Sequence, residues 1–232
     1  MKQQDRILVA LDTPTLDEAL VLVKQLRPYV GGFKVGLELC TAVGVPEVVT
    51  QVAAAGGKLF LDLKLHDIPN TVAGAVRSVC GLGAGIGMLT LHCQGGAAML
   101  RAAVEAAAAA PERPLLLGVT VLTSIDTLAL RDELGVAAPL EAHVVALAQL
   151  AQRCGLDGVV ASPHEVAAIR QACGPEFLII TPGVRPTWAA SGDQRRTMTP
   201  SAALAAGADY LVIGRPLTAA DDPVAAAQQL WV

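Results

Sequence analysis

The residues best suited to chemistry lie in one stretch, Leu59 to Val72, which reads LFLDLKLHDIPNTV. Leucine alternates with other residues over its first half, and a period of two predicts a β-strand with two different faces. Asp62 and Lys64 then share one face of that strand. Asp67 follows on a loop, because Ile68-Pro69 favours extended backbone and proline cannot donate to a sheet. The pattern offers a cation close to two acids, which suits proton transfer or the stabilisation of a developing charge.

A structural ion pair at a strand end is the other interpretation of an Asp-x-Lys sequence. Charged groups are costly to bury unless they are paired. Because only 16% of the residues are charged, the presence of an acid and a base on one face of a predicted strand requires an explanation. Beyond it, Asn70 or Thr71 is expected to cap a helix that runs into the next Ala/Val-rich stretch. The choice between the two interpretations depends on the residues that the other strands supply.

Length and composition indicate an α/β protein with an ample core. The chain has 232 residues, of which 53% are hydrophobic, with 22 glycines and 14 prolines. Its apolar residues are mostly Ala, Val and Leu, which suit close packing of helices on a sheet. The net charge is −4 and no Lys/Arg run is present, so we expect no nucleic-acid surface.

Compartment and metal binding can also be predicted from residue usage. The start, MKQQDRILVALD, has an acid and only a short apolar run, so we expect neither a signal peptide nor a membrane anchor. The uncharged stretch from Ser78 to Leu100 is broken by glycines, His92 and Gln94, and we predict no membrane span there. Five cysteines without a CxxC motif indicate reduced thiols in a cytoplasm. The four histidines lack metal-ligand spacing, so no metal is predicted.

Short apolar runs recur about every 25 to 30 residues, the length of a βα unit. The eight predicted strands are Ile7–Asp12, Gly32–Leu37, Lys58–Leu65, Met88–Cys93, Leu115–Leu122, Gly158–Ser162, Phe177–Val184 and Tyr210–Leu217. Helical patterns lie between them, at Thr15–Leu26, Pro46–Ala55, Gly96–Ala109, Leu140–Cys154, Pro163–Cys173 and Pro200–Ala206. Eight alternations predict a (β/α)₈ TIM barrel, with residues 1–232 as one catalytic domain, and a doubly wound open sheet is the alternative.

In a barrel, the carboxyl ends of the strands meet at one mouth, where active sites form. The predicted strands end in polar residues or glycine: Asp12, Lys34, Asp62 with Lys64, His92, Thr123, Ser162, Gly183 with Arg185, and Gly214 with Arg215. Core packing alone would not end all eight strands in this way. The functional interpretation of Asp62 and Lys64 is therefore favoured over a structural ion pair.

The first group of mouth residues is Lys34, Asp62, Lys64 and Asp67, with Asp12 nearby. Neighbouring carboxylates favour the ammonium form of a lysine and oppose the effect of burial. A lysine held as a cation can stabilise a carbanion and then protonate carbon. A Schiff-base lysine would instead need an apolar or cationic environment.

The second group follows strands 7 and 8, where this fold often binds phosphate. The stretch from Thr181 to Pro200 is long for a strand-to-helix connection and is predicted to form a lid. Arg185 and Gln194 can donate to phosphate oxygens, and Gly214-Arg215 combines close backbone approach with a cationic fork. Arg195 and Arg196 are interpreted as ordinary surface arginines.

Seven segments together resemble the bacterial type of the orotidine 5′-phosphate decarboxylase family. They are Asp12, FKVG at Phe33–Gly36, LFLDLKLHDIPNTV, VLTS at Val121–Ser124, TPGVRP at Thr181–Pro186, GDQRR at Gly192–Arg196 and IGRPLTAADDP at Ile213–Pro223. The resemblance spans the chain. It implies a homodimer without cofactor or metal that converts orotidine 5′-monophosphate to uridine 5′-monophosphate (UMP) and CO₂, the last step of de novo pyrimidine nucleotide synthesis.

The resemblance also implies roles for individual residues. Lys64 would donate a proton to C6 of the pyrimidine, while Lys34, Asp62 and Asp67 hold the charge network around it. Asp67 and Thr71 would reach into the partner subunit's site. The substrate-binding residues would be Asp12 and Lys34 at the ribose, Asp62 at the substrate carboxylate, Thr123 at the pyrimidine, and Arg185, Gln194, Gly214 and Arg215 at the phosphate. The Cys93-Gln94 pair departs slightly from the family's usual small residues.

Two alternatives stay open. Sugar-phosphate decarboxylases and aldol-type synthases of the same superfamily share the DxKxxD pattern, and the resemblance implies for them a Mg²⁺ held partly by a glutamate at the end of strand 2. Lys34 stands at that position here and would repel a metal. A binding protein for nucleotide phosphates is the other alternative, although binding alone needs no buried proton donor.

Overall fold

The computed structural model describes residues 2–83, 85–188 and 198–231. Within them, eight parallel strands pair in chain order, and the eighth pairs with the first. The strands β1 to β8 are Ile7–Ala10, Gly32–Val35, Leu59–Leu65, Ile86–His92, Leu115–Val119, Gly158–Val160, Leu178–Thr181 and Tyr210–Ile213. The predicted (β/α)₈ barrel is confirmed, and the open sheet is wrong, because the pairing of β1 with β8 leaves no free edge.

Helices surround this barrel in the described part of the chain. The helices α1 to α11 are Leu16–Leu26, Leu37–Val43, Val45–Ala54, Pro69–Cys80, Gly96–Ala108, Thr127–Asp132, Leu140–Arg153, Val166–Cys173, Pro200–Ala205, Arg215–Thr218 and Pro223–Gln228. All six predicted helical segments overlap an observed helix. The sequence patterns do not predict the short helices α2, α6, α10 and α11, because each has seven residues or fewer and is too brief to show a helical period.

Boundaries differ from the sequence predictions at several elements, with α4, β8 and α8 among them. Helix α4 begins at Pro69, so Asn70 and Thr71 lie in its first turn and do not cap it. Proline suits a first helical position, because that N–H has no helical partner and the ring already fixes φ. The last strand stops at Ile213, and Arg215 begins α10 after a turn at Gly214. Helix α8 begins at Val166, three residues later than its predicted start at Pro163.

Two apolar layers hold the barrel together. The smaller layer fills the barrel interior and consists of Leu8, Ala10, Phe60, Met88, Leu117, Ile180 and Val212. The larger layer lies between the strands and the helices, where alternate strand residues such as Val9, Leu61 and Ile179 are fully buried. Because strand side chains alternate, the residue two positions beyond an inward apolar side chain also points inward. Asp12 after Ala10 and Asp62 after Phe60 are therefore directed to the mouth.

The five cysteines are free thiols, and all but Cys80 are buried. Burial raises the pKa of the Cys93 thiol to about 12, with the nearby Cys154 adding to the effect. Among the described residues, no single helix is long and apolar enough to cross a membrane. One pair of helices in the described ranges, α2 with α3, reaches that length and composition when taken together, and the two meet at a bend of 104°.

Two aspartates tie neighbouring strands together at the amino end of the barrel. Asp157, just before β6, accepts the backbone N–H of Leu116 at 2.8 Å and pairs with both terminal nitrogens of Arg113. Asp209, just before β8, accepts the N–H of Ile179 at 2.8 Å and pairs with Arg170 at 2.7 Å.

Arg170 also donates to four backbone carbonyl groups, those of Gly174, Pro175, Phe177 and Gly207. One guanidinium group thus joins α8 to the segments that enter β7 and β8. Its removal would leave several carbonyl groups without this donor and the largely shielded Asp209 carboxylate without its cation.

We therefore expect Arg170→Met to lower the Tm by roughly 4–10 °C, because a charge-assisted hydrogen bond contributes about 1.5–3 kcal/mol and a chain of this size loses about 2–4 °C per kcal/mol. Thermal unfolding followed by circular dichroism measures the shift. Arg131→Met is the matched control, since within the described part of the chain Arg131 pairs with Asp132 alone and both side chains are mostly exposed. An equal loss of Tm in both variants would contradict the role of Arg170.

Candidate active site

The Asp62 carboxylate is the centre of the cluster at the barrel mouth. Its Oδ2 atom lies 2.7 Å from Lys64 Nζ and 3.5 Å from Lys34 Nζ. Lys34 Nζ in turn donates to Asp12 Oδ1 at 3.1 Å. Only 11% of the Asp62 and Lys34 side chains is exposed, whereas 56% of Asp12 is exposed. The predicted alternation of acids and bases is therefore present within one chain for these four residues.

The charge state of Asp62 follows from these contacts. Burial by itself would raise the pKa of this carboxyl group. The ammonium groups of Lys34 and Lys64, together with hydrogen bonds from Lys64 and Thr90, outweigh burial and hold the pKa below the ordinary value of 3.8. Asp62 is thus an anion at neutral pH, and it faces the cavity beside two cations.

Gly36 leaves room for the Lys34–Asp12 ion pair. A Cβ atom at this position would lie 3.0 Å from Lys34 Nζ and 3.5 Å from Asp12 Oδ1. Any side chain here would therefore crowd the ammonium group. This close approach explains a glycine directly after β2 in the FKVG segment.

Asp67 lies apart from the cluster. Its side chain is exposed, and its Oδ1 atom accepts the backbone N–H of the next residue, Ile68, at 2.6 Å. No ion pair to Asp67 is present within residues 2–83, 85–188 and 198–231. Thr71, on the first turn of α4, is also exposed, as are its neighbours Ile68 and Pro69. The chain thus does not bring these two predicted site residues to its own Lys64.

The mouth contains two neighbouring cavities that share the lining residues Lys34, Pro182 and Val212. The larger one, about 450 Å³, is lined by Asp12, Lys34, Arg185, Gly214 and Arg215 among others. These are the described residues that were predicted at the ribose and phosphate ends of the substrate. Gln194 falls in 189–197, a part of the predicted lid that lies outside the described residues.

The smaller cavity, about 190 Å³, contains the reactive pair. Asp62, Lys64 and Thr123 line it, and its other walls are mostly apolar, with Phe60, Val119 and Val160 among them. Apolar walls with a few placed polar groups suit a flat ring. A ligand that spans both cavities would therefore place its ring beside Lys64 and its charged end beside Arg215.

Several residues at the mouth have a role that the sequence did not reveal. Thr90 is fully buried, and its hydroxyl contacts both Asp62 and the backbone of Lys64. The alternation of Met88, Thr90 and His92 along β4 could have indicated that Thr90 points inward. His66 and His92 pack with ring centroids 5.3 Å apart. Burial, followed by the electrostatic effects of the neighbouring His66 and Lys64, lowers the pKa of His92 below its usual value, so this ring is neutral at neutral pH.

Other features of the described residues offer less chemistry. A cavity of about 590 Å³ opens at the opposite end of the barrel, and Asp5, Arg27 and Lys58 are its charged residues. The ion pairs between described residues include none of these three side chains. The mouth, by contrast, is built around ion pairs. Within the described part of the chain, no three His, Cys, Asp or Glu side chains group in a way that could hold a metal.

Known proteins resemble this chain along nearly its whole length. The orotidine 5′-phosphate decarboxylase of Moorella thermoacetica is 56% identical over 99% of this chain and 92% of its own length. That of Syntrophomonas wolfei is 49% identical over 99% of this chain and 98% of its own length. A crystal structure of orotidine 5′-phosphate decarboxylase from Lactobacillus acidophilus has a TM-score of 0.83 and 36% identity, and the match covers 97% of this chain and 96% of that one.

The family model gives the same assignment. The model described as orotidine 5′-phosphate decarboxylase / HUMPS family matches residues 5–230. That range includes all eight strands and every residue of the mouth cluster. This chain therefore belongs to the orotidine 5′-phosphate decarboxylase / HUMPS family.

Proposed function

We propose that this chain is an orotidine 5′-phosphate decarboxylase, a carboxy-lyase of pyrimidine biosynthesis that converts orotidine 5′-monophosphate to UMP and CO₂. The observation that carries the proposal is the Lys64 ammonium group, 2.7 Å from a buried carboxylate and directed into an apolar cavity of the size of a small ring. Full-length relatives that bear this name support it.

The reaction needs electrostatic stabilisation at one carbon. When the bond between C6 and the carboxylate breaks, CO₂ leaves and the electron pair stays on C6, with no electron sink attached. The Lys64 ammonium stabilises this carbanion and then transfers a proton to C6, which gives UMP and a neutral lysine that regains its proton from solvent. Asp62 holds Lys64 in place and faces the substrate carboxylate.

The remaining residues bind and orient the substrate. Asp12 and Lys34 bind the ribose hydroxyl groups, and Thr123 binds the pyrimidine. Arg185, Gln194, Gly214 and Arg215 bind the phosphate, whose distance from C6 makes it a source of remote binding energy. Lys34 also belongs to the catalytic network, because its ammonium group lies 3.5 Å from Asp62.

We propose that the protein acts without metal or cofactor. A Mg²⁺-dependent synthase of the same superfamily would need an oxygen ligand at the end of β2, where Lys34 places a cation. A protein that only binds nucleotide phosphates would have no use for a proton donor held beside a buried acid. The free cysteines suit a reducing compartment, so we propose a cytoplasmic location.

We also propose a homodimer in which each site is shared. Asp67 and Thr71 are exposed on the loop and helix turn after β3, and Asp67 pairs with no cation among the described residues of its own chain. Ile68, with 66% exposure, is the most exposed large apolar side chain of the described residues. A partner subunit would cover Ile68 and bring Asp67 to the partner's cation network, which would complete the four catalytic residues Lys34, Asp62, Lys64 and Asp67.

The first test of the function is the decarboxylation itself. The purified chain should consume orotidine 5′-monophosphate, followed as a loss of ultraviolet absorbance, at the same rate with and without EDTA. Lys64→Ala should lower kcat by more than about a hundredfold, because general acid catalysis contributes about 10²–10⁴-fold before electrostatic stabilisation is added. Lys58→Ala is the matched control, since Lys58 precedes the same strand at the opposite end of the barrel and should keep full activity. Inactive wild-type protein, or an active Lys64→Ala variant, would contradict the proposal.

Arg215→Ala tests the phosphate end. We expect kcat/KM for orotidine 5′-monophosphate to fall by about 10- to 150-fold, because a charge-assisted hydrogen bond is worth roughly 1.5–3 kcal/mol. The reaction of orotidine, which lacks the phosphate, should hardly change, and steady-state kinetics with both substrates measures the difference. If the two substrates lose activity equally, Arg215 has a structural role instead.

Subunit mixing tests the shared site. Lys64→Ala and Asp67→Asn should each be inactive as homodimers, while a heterodimer has one site with wild-type Lys64 from one chain and wild-type Asp67 from the other. Random exchange makes about half of the dimers heterodimers, each with one competent site of two, so activity should recover to roughly a quarter of wild type. The activity is measured after exchange has been verified by mass spectrometry.

The control mixture combines Lys64→Ala with Asp62→Asn. These two residues lie on the same strand and contribute to the same site, so no site in that heterodimer is intact and activity should not return. Equal recovery in both mixtures, or none in either after proven exchange, would exclude the sharing of Asp67.

A further inference from the structure

The hydroxyl group of Thr90 joins two groups of the catalytic strand. Thr90 lies on β4 and is fully buried. Its Oγ1 atom donates to Asp62 Oδ1 at 3.0 Å and accepts the backbone N–H of Lys64 at 2.9 Å. One threonine of a neighbouring strand therefore holds both the acid and the backbone of the proposed proton donor.

The second contact is needed because β3 leaves the regular sheet pattern at this point. Leu61 pairs with Leu89 and Leu65 pairs with Leu91, so the three residues between on β3 face only Thr90 on β4. Extra residues in a strand lose their partners in the ladder. The Lys64 N–H is one of these groups, and a buried N–H without an acceptor is costly. The Thr90 hydroxyl supplies the acceptor.

The backbone of Lys64 also has an unusual conformation. Its φ angle is +51°, and it is the only residue other than glycine with positive φ in the described part of the chain. L-residues avoid this left-handed region, so a lysine held there has a strained backbone. Such a conformation persists only where surrounding contacts enforce it, and it is concentrated at functional sites. The strained φ angle and the hydrogen bond to Thr90 both involve the backbone N–H group of Lys64.

From this geometry we infer that Thr90 is a positioning residue for the decarboxylation: its hydroxyl holds the Lys64 backbone in the left-handed conformation and fixes the Asp62 carboxylate, so that the Lys64 ammonium points at the reacting carbon. Thr90 does not line the described cavities and so acts through Lys64 and Asp62. The inference rests on the proposed function for the reaction it serves. Its structural part does not depend on that function.

Thr90→Val removes the hydroxyl and keeps the shape of the side chain. We expect kcat to fall by about 10- to 100-fold, the effect of losing one hydrogen bond to a charged group in the transition state. The affinity for UMP should change by less than about threefold, because the binding groups stay in place. Thr90→Ser keeps the hydroxyl and should retain kcat within about threefold. If Thr90 acted through the packing of its methyl group, Thr90→Ser would lower kcat as well. If Thr90→Val is insoluble, Thr90→Ala removes the same hydroxyl.

Thr120→Val is the matched control. Thr120, directly after β5, is also buried, but among the described residues its hydroxyl donates to the carbonyl group of Val160 alone, at 3.1 Å. Its loss should lower stability without lowering kcat. Unchanged kcat in Thr90→Val, or an equal loss of kcat in Thr120→Val, would overturn the inference.

A crystal structure of Thr90→Val gives a readout that needs no activity. The φ angle of Lys64 should leave the left-handed region, and Lys64 Nζ should move away from Asp62, whereas Thr90→Ser should keep both features. An unchanged Lys64 in Thr90→Val would overturn the inference. Wild-type protein without decarboxylase activity would instead refute the proposed function, and the two failures are thereby distinguished.

Discussion

The Asp62 carboxylate lies between the ammonium groups of Lys34 and Lys64 and is almost removed from water. Burial of a charge costs several kcal/mol unless partners and hydrogen bonds compensate it, so each of the three groups depends on the others to stay in place. Gly36 leaves the space for Lys34, and Thr90 supplies the remaining hydrogen bond to Asp62. The rest of the mouth is arranged around a charge that the core could not otherwise hold.

The closed barrel brings these charged groups together from short segments of neighbouring strands. Lys34 and Asp62 come from neighbouring strands, and the inward face of each strand continues from the apolar interior to the polar mouth. The amino end of the barrel is held separately by the carboxylates of Asp157 and Asp209. Stability and chemistry are thus located at opposite ends, so loops at the mouth can be built for substrate binding without loosening the strands.

The mouth has one cavity suited to binding the charged end of the substrate and another suited to the reaction. The more polar cavity with Arg185 and Arg215 suits an anionic end, and the small apolar cavity with Lys64 suits the ring. The strained Lys64 backbone links the reacting ammonium group to the neighbouring strand through Thr90. Asp67 is exposed and accepts the N–H of Ile68, and the proposed dimer gives that acid a function.

Much of this protein follows from the sequence by itself. Periods of two and regular βα spacing predicted the eight strands and the mouth residues Asp12, Lys34, Asp62 and Lys64, because alternation along a strand is a local property. Only the tertiary structure decided the left-handed Lys64, its contact with Thr90 and the exposure of Asp67. The Lys64–Thr90 contact joins residues 26 positions apart, across an irregular strand pair whose register no local pattern encodes.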